Sequence, residues 1–373
     1  MTDHATPAGQ TVLVTGASGF LGRAVVRELL AGGYAVRTLQ RTPSRTPGST
    51  DVLGSVTDPE VVARAVAGVD AVVHLAAKVS LAGDPADFER VNVGGTQTLL
   101  DAAQAAGVAR VVHVSSPSVA HHGDSIVGDD AGPADPALAR GDYARTKAAA
   151  ELLALARDGA ALGDGGLARE SADADRARPG QAAQVRSADR SALDRAPTGD
   201  AGSVMRVVAV RPHLVWGPGD TQLVARVVER ARAGRLPLLG HGAALIDSTY
   251  VDNAASAIVA ALRAVDDVHG QAYVVTNGEP RPVAELLAGI CRAAGVEPPR
   301  WSVPASVARA AGSAVEAGWK IRPGADEPPM TRFLAEQLST AHWFDQRRTR
   351  RDLRWEPAVS VDEGLRRLAE SYR

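Results

Sequence analysis

The sequence predicts an α/β fold: a doubly wound parallel sheet with helices on both faces, followed by a smaller C-terminal domain. Three observations carry that reading. An apolar run, Thr11-Val12-Leu13-Val14, leads directly into a glycine-rich turn and then an amphipathic helix. Short apolar runs then alternate with longer helical patterns as far as Val210, the rhythm of repeated βαβ units. The chain has 373 residues, enough for one large domain or two modest ones with a sizeable core.

The first strand runs into Thr15-Gly16-Ala17-Ser18-Gly19-Phe20-Leu21-Gly22, and a helix is expected from Arg23 to Ala31. Gly16 permits a tight turn, Gly19 lets backbone N–H groups approach a pyrophosphate, and Gly22 lets helix and strand pack closely. Strand two is expected over Tyr34 to Gln40, a short strand three at Val52 and Leu53, and strand four over Asp70 to Leu75. Arg110 to Ser115 reads as strand five and Val204 to Val210 as strand six. Helices are expected from Pro59 to Ala67, Pro85 to Ala106, and Tyr143 to Arg157. Ligands of such folds sit outside the carboxyl edge of the sheet, which Asn92, Ser116 and Pro212 are placed to face.

From Asp158 to Ser203 the chain turns to Ala, Asp, Arg and Gly, with scattered apolar residues and no aromatics. Such a stretch buries too little surface to offset its ordering entropy, so residues 158–203 read as a largely disordered insertion. Gly217 to Gly242 reads as an excursion covering a pocket, after which 246–277 return to the sheet. There Asp252 or Asn253 suits the N-cap of a helix over Ala254 to Ala264. A strand over Gln271 to Thr276 and a helix over Val283 to Ala294 follow. The Ala/Val-rich stretch from Pro304 to Trp319 reads as a lid or packing helix over an apolar pocket. The expected division is 1–216 for dinucleotide binding and mainly 217–373 for substrate.

Net charge is −2, which gives no electrostatic case for nucleic acid or anionic membrane. The single Cys291 cannot form an internal disulfide, and His121-His122 lacks the Cys or carboxylate spacing of a metal site, so none is expected. The N-terminus lacks the basic and apolar regions of a signal peptide, and no apolar run reaches the ~18 residues that span a bilayer. A cytoplasmic protein is the expectation.

Tyr143-Ala-Arg-Thr-Lys147 carries the chemistry. A phenol and an ammonium four residues apart share one helix face, one turn from each other. A neighbouring positive charge favours tyrosinate, so Lys147 is expected to lower the Tyr143 pKa and suit it to acid/base work.

Together these residues resemble the extended short-chain dehydrogenase/reductase superfamily. Thr15 to Gly22 match its cofactor turn, and Tyr143 and Lys147 its catalytic pair. His74-Leu75-Ala76-Ala77, Val91-Asn92-Val93-Gly94-Gly95-Thr96, Ser115-Ser116, Arg211-Pro212 and Tyr250-Val251-Asp252-Asn253-Ala254 match further motifs in order. The tail, Met330-Thr331-Arg332-Phe333 to Trp343-Phe344-Asp345 and Asp352 to Pro357, resembles the 3β-hydroxysteroid dehydrogenase branch. Within it the resemblance extends to bacterial 2-alkyl-3-oxoalkanoate reductases of long-chain olefin biosynthesis.

The resemblance implies Rossmann-type cofactor contacts at Gly16, Gly19, Phe20, Leu21, Gly22, Arg41, Ala76, Lys147 and Pro212. It implies that Tyr143 donates a proton to a substrate carbonyl, that Lys147 also bonds the nicotinamide ribose, and that Ser116 polarises the carbonyl oxygen. Ser118 and His213 are candidate substrate-pocket residues. His74 reads as a packed structural histidine, and Asn92 as a residue that fixes backbone. At the end of strand two, where NAD enzymes place a carboxylate, stand Gln40 and Arg41. Arg41 can pair with a 2′-phosphate, with Arg45 in support, so NADPH (NADP+) is the expected cofactor. The usual acidic residue at the adenine edge is replaced by Ser55.

The expected activity is NADPH-dependent reduction of a ketone on a small hydrophobic substrate, foremost a 2-alkyl-3-oxo fatty acid. Oxidation of a 3β-hydroxysterol is the second reading. A sugar-nucleotide epimerase would carry a more polar, Arg-bearing site, and a redox-sensing NADP-binding protein commonly loses the Tyr143, Lys147 and Ser116 set. A homodimer and association with pathway enzymes are the partners expected.

Overall fold

The computed structural model of the protein describes residues 9–80, 83–121, 123–130, 132–163, 204–304, 306–308, 310–312, 315 and 339–373. The disordered insertion expected over 158–203 is corrected at its start, where residues 158–163 are held in place by Gly159 N–H donating to Met205 O and Gly163 N–H to Gln104 O, each at 2.9 Å. Residues 164–203, half of the stretch expected to be helical over 304–319, and the Met330 to Phe333 motif lie outside the described residues.

Seven strands form a wholly parallel sheet: β1 (Thr11–Thr15), β2 (Ala35–Gln40), β3 (Ser49–Leu53), β4 (Ala71–His74), β5 (Arg110–Val114), β7 (Arg206–Pro212) and β12 (Ala272–Val275). Their spatial order is β12-β7-β5-β4-β1-β2-β3. The order reverses at the β1/β4 boundary, which opens a crevice at the carboxyl ends of those strands. This is the Rossmann-like sheet the sequence predicts.

Because side chains alternate across a strand, Val12 and Val14 join a core with Val25, Val26, Leu29, Ile258 and Leu262 on one face. Leu13 joins Val62, Val66, Leu99 and Leu100 on the other. The helices behind those contacts are α1 (Phe20–Ala31) and α7 (Val251–Val268) on the first face, and α2 (Pro59–Val66) and α4 (Gly95–Ala105) on the second. Covering on both faces explains why the strands read as unbroken apolar runs. Helix α2 starts where its sequence directs: the Asp58 carboxylate accepts the Glu60 and Val61 N–H groups, and Pro59 needs no partner in the first turn.

Three further expectations are corrected. The sixth strand in chain order of the parallel sheet, β7, spans Arg206–Pro212 rather than Val204 to Val210, because Pro212 extends its pairing to Val275. The helix expected from Pro85 to Ala106 is three segments: α3 (Pro85–Phe88), a π-helical stretch over Glu89–Gly94, and α4. The widened turn aims Asn92 sideways, where its side chain accepts Lys78 N–H at 2.7 Å and donates to Thr146 Oγ1 at 3.0 Å. Neither Asp252 nor Asn253 caps α7, which begins at Val251 without a side-chain cap. Asn253 is drawn inward instead, donating to Asn277 Oδ1 and Val359 O and accepting the Ala358 and Val359 N–H groups.

A second sheet completes the pocket region. Its strands β6 (Ile126–Asp129), β10 (Leu245–Ile246), β13 (Arg281–Pro282) and β15 (His342–Phe344) lie in the order β13-β10-β15-β6. Helices α5 (Gly141–Leu155), α6 (Val224–Arg232) and α8 (Val283–Ala293) frame the cleft between the two sheets. Among the described residues no helix is long and apolar enough to cross a membrane.

Candidate active site

The glycine turn follows β1, on the carboxyl side of the crevice. Gly16 has φ +72°, and a Cβ there would meet the Ala76 nitrogen at 2.9 Å. A Cβ on Gly22 would meet Gly16 O at 2.3 Å. Only glycine keeps this turn open against the N-terminus of α1, whose first turn no side chain caps. Phe20 and Leu21 form that first turn. Bare backbone at a helix N-terminus suits the pyrophosphate of a dinucleotide. Gln40 Oε1, buried at the end of β2, has no hydrogen-bond partner among the described residues and is an acceptor of the kind a ribose hydroxyl satisfies. The residues present therefore fit a dinucleotide. Arg41 follows immediately and is exposed.

Behind the turn runs a chain of hydrogen bonds the sequence did not reveal. Ala76 N–H donates to Thr15 Oγ1 at 3.1 Å, and that hydroxyl pairs with His74 Nδ1 at 2.7 Å. His74 Nε2 pairs with Thr96 Oγ1 at 2.9 Å, and Thr96 donates to Asn92 O at 2.6 Å. The donors are used in one consistent direction if His74 carries its proton on Nε2. Burial, with Lys147 nearby, pushes His74 down to about 3, so the ring is neutral and structural.

The cleft lies beyond the ends of β5 and β7 and encloses about 300 Å³. Ser116, Ser118, Tyr143 and His213 all line it, together with Leu236, Ile246, Leu286, Leu287 and Ile290. Ser115 does not: its hydroxyl is buried, without a hydrogen-bond partner among the described residues. Ser116 accepts the Ser118 hydroxyl at 3.0 Å and is hydrogen-bonded to Tyr143. His213 donates from Nδ1 to Asp247 O at 2.6 Å, which fixes its tautomer.

Lys147 lies beneath the cleft wall, one turn along α5, and donates from Nζ to Val114 O at 2.7 Å. Burial pushes it down to about 8, with Glu151 pulling the other way. The Tyr143 phenol, desolvated by its surroundings, is pushed up to about 12, against a hydrogen bond with Ser116. The expected lowering of Tyr143 by Lys147 is therefore corrected. The ammonium is engaged by a strand carbonyl, and desolvation of the phenol outweighs any charge effect. Tyr143 rests as a protonated donor.

Sequence reasoning missed part of the lining. His342 and Phe344 arrive on β15, and His121 donates from Nε2 to His342 Nε2 at 2.6 Å. Arg226 and Arg230 line the cleft from α6. Their four-residue spacing, on the face shared with Leu223 and Val227, was the available signal. Among the described residues no group of His, Cys, Asp and Glu is placed to hold a metal.

Residues 12–162 match the NAD dependent epimerase/dehydratase family, and residues 194–305 the 3-beta hydroxysteroid dehydrogenase/isomerase family. A 2-alkyl-3-oxoalkanoate reductase from Stenotrophomonas maltophilia (strain K279a) is 37% identical, over 96% of this chain and 98% of that one. The chain belongs to the extended short-chain dehydrogenase/reductase family. It falls in the 3β-hydroxysteroid dehydrogenase-like branch of that family, whose members depend on nicotinamide dinucleotides, and it is an oxidoreductase. A 3 beta-hydroxysteroid dehydrogenase/Delta 5-->4-isomerase from Mycobacterium tuberculosis (strain ATCC 25618 / H37Rv) is 31% identical, over 97% of this chain and 90% of that one. Among solved structures, MoeE5 in complex with UDP-glucose and NAD superposes with a TM-score of 0.65 at 24% identity, covering 97% of this chain and 98% of that one. That likeness bears on the fold alone.

Proposed function

We propose that this short-chain reductase uses NADPH to reduce a ketone on a hydrophobic substrate, converting a 2-alkyl-3-oxoalkanoate to the 2-alkyl-3-hydroxyalkanoate. The observation that carries the reading is the placement of Tyr143 and Ser116 in the wall of a cleft whose lining is largely apolar. Two relatives named as 2-alkyl-3-oxoalkanoate reductases, 37% and 34% identical, support the substrate class. Arg41 after β2, with no carboxylate at the strand's end, supports NADPH over NADH.

The chain's own residues would act as follows. The Ser116 and Tyr143 hydroxyls hold the carbonyl oxygen and polarise it. Bound reduced nicotinamide supplies the hydride that the carbonyl carbon accepts. The oxygen takes the Tyr143 proton, so C=O becomes CH–OH and a phenolate remains. The buried cation of Lys147, one turn away, offsets that phenolate. Asn92, through Thr146 and the Lys78 backbone, fixes the helix that carries both residues. Leu236, Leu286, Leu287 and Ile290 supply apolar surface for alkyl chains.

The 3-hydroxy acid is the stable member of the pair, so the test runs in the oxidative direction. Purified protein is given NADP+ with a 2-alkyl-3-hydroxyalkanoate, a 3β-hydroxysterol or UDP-glucose, and nicotinamide reduction is followed by absorbance. The expected result is turnover of the hydroxy acid. Turnover of the sterol alone would transfer the protein to the second reading, which the 31% identical hydroxysteroid dehydrogenase supports.

A further inference from the structure

Ser116 and Ser118 stand two residues apart in the cleft wall, just after β5. Ser116 is extended and begins a single tight helical turn, Pro117–Ala120, in which Pro117 lacks the N–H that a first turn would leave unpaired. Val119 of that turn shares a small core with Ala148 of α5, so the turn is seated on the helix that carries Tyr143. The hydrogen bonds then run in one order. Ser116 Oγ accepts the Ser118 N–H at 3.3 Å and the Ser118 hydroxyl at 3.0 Å. A serine oxygen has two lone pairs, and both are taken. What Ser116 has left to give is its own proton, and its remaining hydrogen bond is to Tyr143. Ser118 is buried, which keeps bulk water from replacing it in this chain.

We propose that Ser118 is a positioning residue for the reaction: it fills the second acceptor site of Ser116 and so commits the Ser116 proton to the oxygen on which charge develops. The proposal rests on reading the cleft as the site of ketone reduction. With a carbonyl oxygen held by Ser116 and Tyr143, hydride arrival and proton transfer place negative charge first on that oxygen and then on the phenolate. Both oxygens are acceptors for the same Ser116 proton. A hydroxyl that is itself receiving a hydrogen bond donates more strongly, because each bond in a chain polarises the next. Neither serine loses its proton; Tyr143 alone gives one up. Ser118 has nothing to act through once Ser116 is gone, and this separates its role from a direct contact with substrate.

The test is a double-mutant cycle of wild type, Ser116→Ala, Ser118→Ala and the double variant, with NADP+ saturating and a 2-alkyl-3-hydroxyalkanoate varied. Ser118→Ala should lower kcat about three- to tenfold, the worth of one neutral hydrogen bond, and leave KM within about twofold. In the Ser116→Ala background the same change should have no further effect. Equal losses in both backgrounds, a rise in KM at constant kcat, or wild-type kcat in Ser118→Ala overturns the proposal and leaves the reductase reading standing.

A second arm needs no turnover. Position 143 is given a fluorinated tyrosine, whose more acidic phenol ionises nearer neutrality, and its absorbance is followed against pH in the four serine backgrounds. Removing the Ser118 hydroxyl should raise the pKa of that phenol by about half a unit to one unit with Ser116 present, and leave it unmoved in Ser116→Ala. That result in a protein that does not oxidise the hydroxy acid upholds the hydroxyl chain and sinks the reductase reading. A phenol that titrates alike with and without the Ser118 hydroxyl overturns the proposal.

Discussion

Glu151 and Arg211 face each other in the interior, 1% and 3% exposed, and lock helix α5, which carries Tyr143 and Lys147, to the sheet. Arg211 Nε donates to Glu151 Oε2 at 2.9 Å, a second guanidinium nitrogen reaches Oε1, and Nη1 donates to Gly132 O at 2.8 Å. Glu151 lies one turn beyond Lys147 on α5, and Arg211 precedes Pro212 at the end of β7.

Removing one partner leaves the other as a buried uncompensated charge. Glu151→Ala or Arg211→Ala should each cost about 3–5 kcal/mol of stability. Replacing both, as Glu151→Leu with Arg211→Met, should restore much of that loss because neither charge is then stranded. Urea unfolding of the four proteins measures it. Single variants as stable as wild type would show that water reaches the pair.

Tyr143→Phe removes one hydroxyl and nothing from the glycine turn. Turnover should fall by about 10²–10⁴, the usual contribution of a general acid, with NADPH affinity within a few-fold. The pH profile locates the second member of the pair. With Tyr143 near 12 the phenol holds its proton throughout the neutral range, whereas Lys147 near 8 loses its charge at mild alkalinity. Reduction should therefore decline as pH rises through about 8, and Lys147→Arg should remove that limb from whatever activity survives. Near wild-type turnover in Tyr143→Phe is the result that ends this mechanism.

The parts of the site visible in the sequence are those fixed by local geometry. Gly16, Gly19 and Gly22 lie within one strand-turn-helix unit, and Tyr143 and Lys147 within one helical turn, so spacing alone placed them. Ser116, two residues past the end of β5, was placed by its match to the family's serine motif. His342 and Phe344 could not be placed in this way. They reach the cleft only because β15 pairs with β6, more than two hundred residues earlier, through contacts such as His342 with Ile126. Asn253 was misread as a cap for the same reason, since its partners at Ala358 and Val359 come from the far end of the chain. Lowering of Tyr143 by Lys147 was expected from spacing, but the sign of a pKa shift depends on burial, which spacing does not report.

Two buried histidines should make the fold sensitive to mild acid. His74 is held near 3, and His113, beside it at 5.4 Å between ring centroids, is also held well below its ordinary value by burial. The unfolded chain takes up these protons near pH 6.5, and the folded protein refuses them. Stability is therefore retained above about 6.5 and falls with pH below it, by about 1.4 kcal/mol per pH unit for each ring. Asp247, raised to about 6 by burial, opposes this because the folded state binds its proton first. Among the described residues neither ring nitrogen of His113 has a hydrogen-bond partner, so His113→Leu should stabilise the fold by about 1–3 kcal/mol at neutral pH and flatten the acid slope by one proton. Urea midpoints at about pH 7.5 and about pH 5.5 test both effects. A leucine variant with an unchanged slope would mean that His113 titrates normally.

On the proposed reading, cofactor preference turns on Arg41. Exposed at the end of β2, it is the residue that would meet a 2′-phosphate. Introducing an NAD-type carboxylate at Gln40 is a poor test, because Gln40 is buried beside Asp51. Burial works to raise the Asp51 carboxyl, but hydrogen bonds from Thr38, Ser44 and Gln40 prevail and hold it below its ordinary value. Gln40→Asp would remove one of those donors and set a second carboxylate against the first, at a cost in stability. Arg41→Ala changes only the cation. Losing one charge-assisted contact should shift the kcat/KM ratio of NADPH to NADH by about ten- to a hundredfold toward NADH. The ratio is measured with one fixed substrate in both proteins. If the wild type already favours NADH, or alanine leaves the ratio where it was, Arg41 is a solvated surface residue and the NADPH assignment falls.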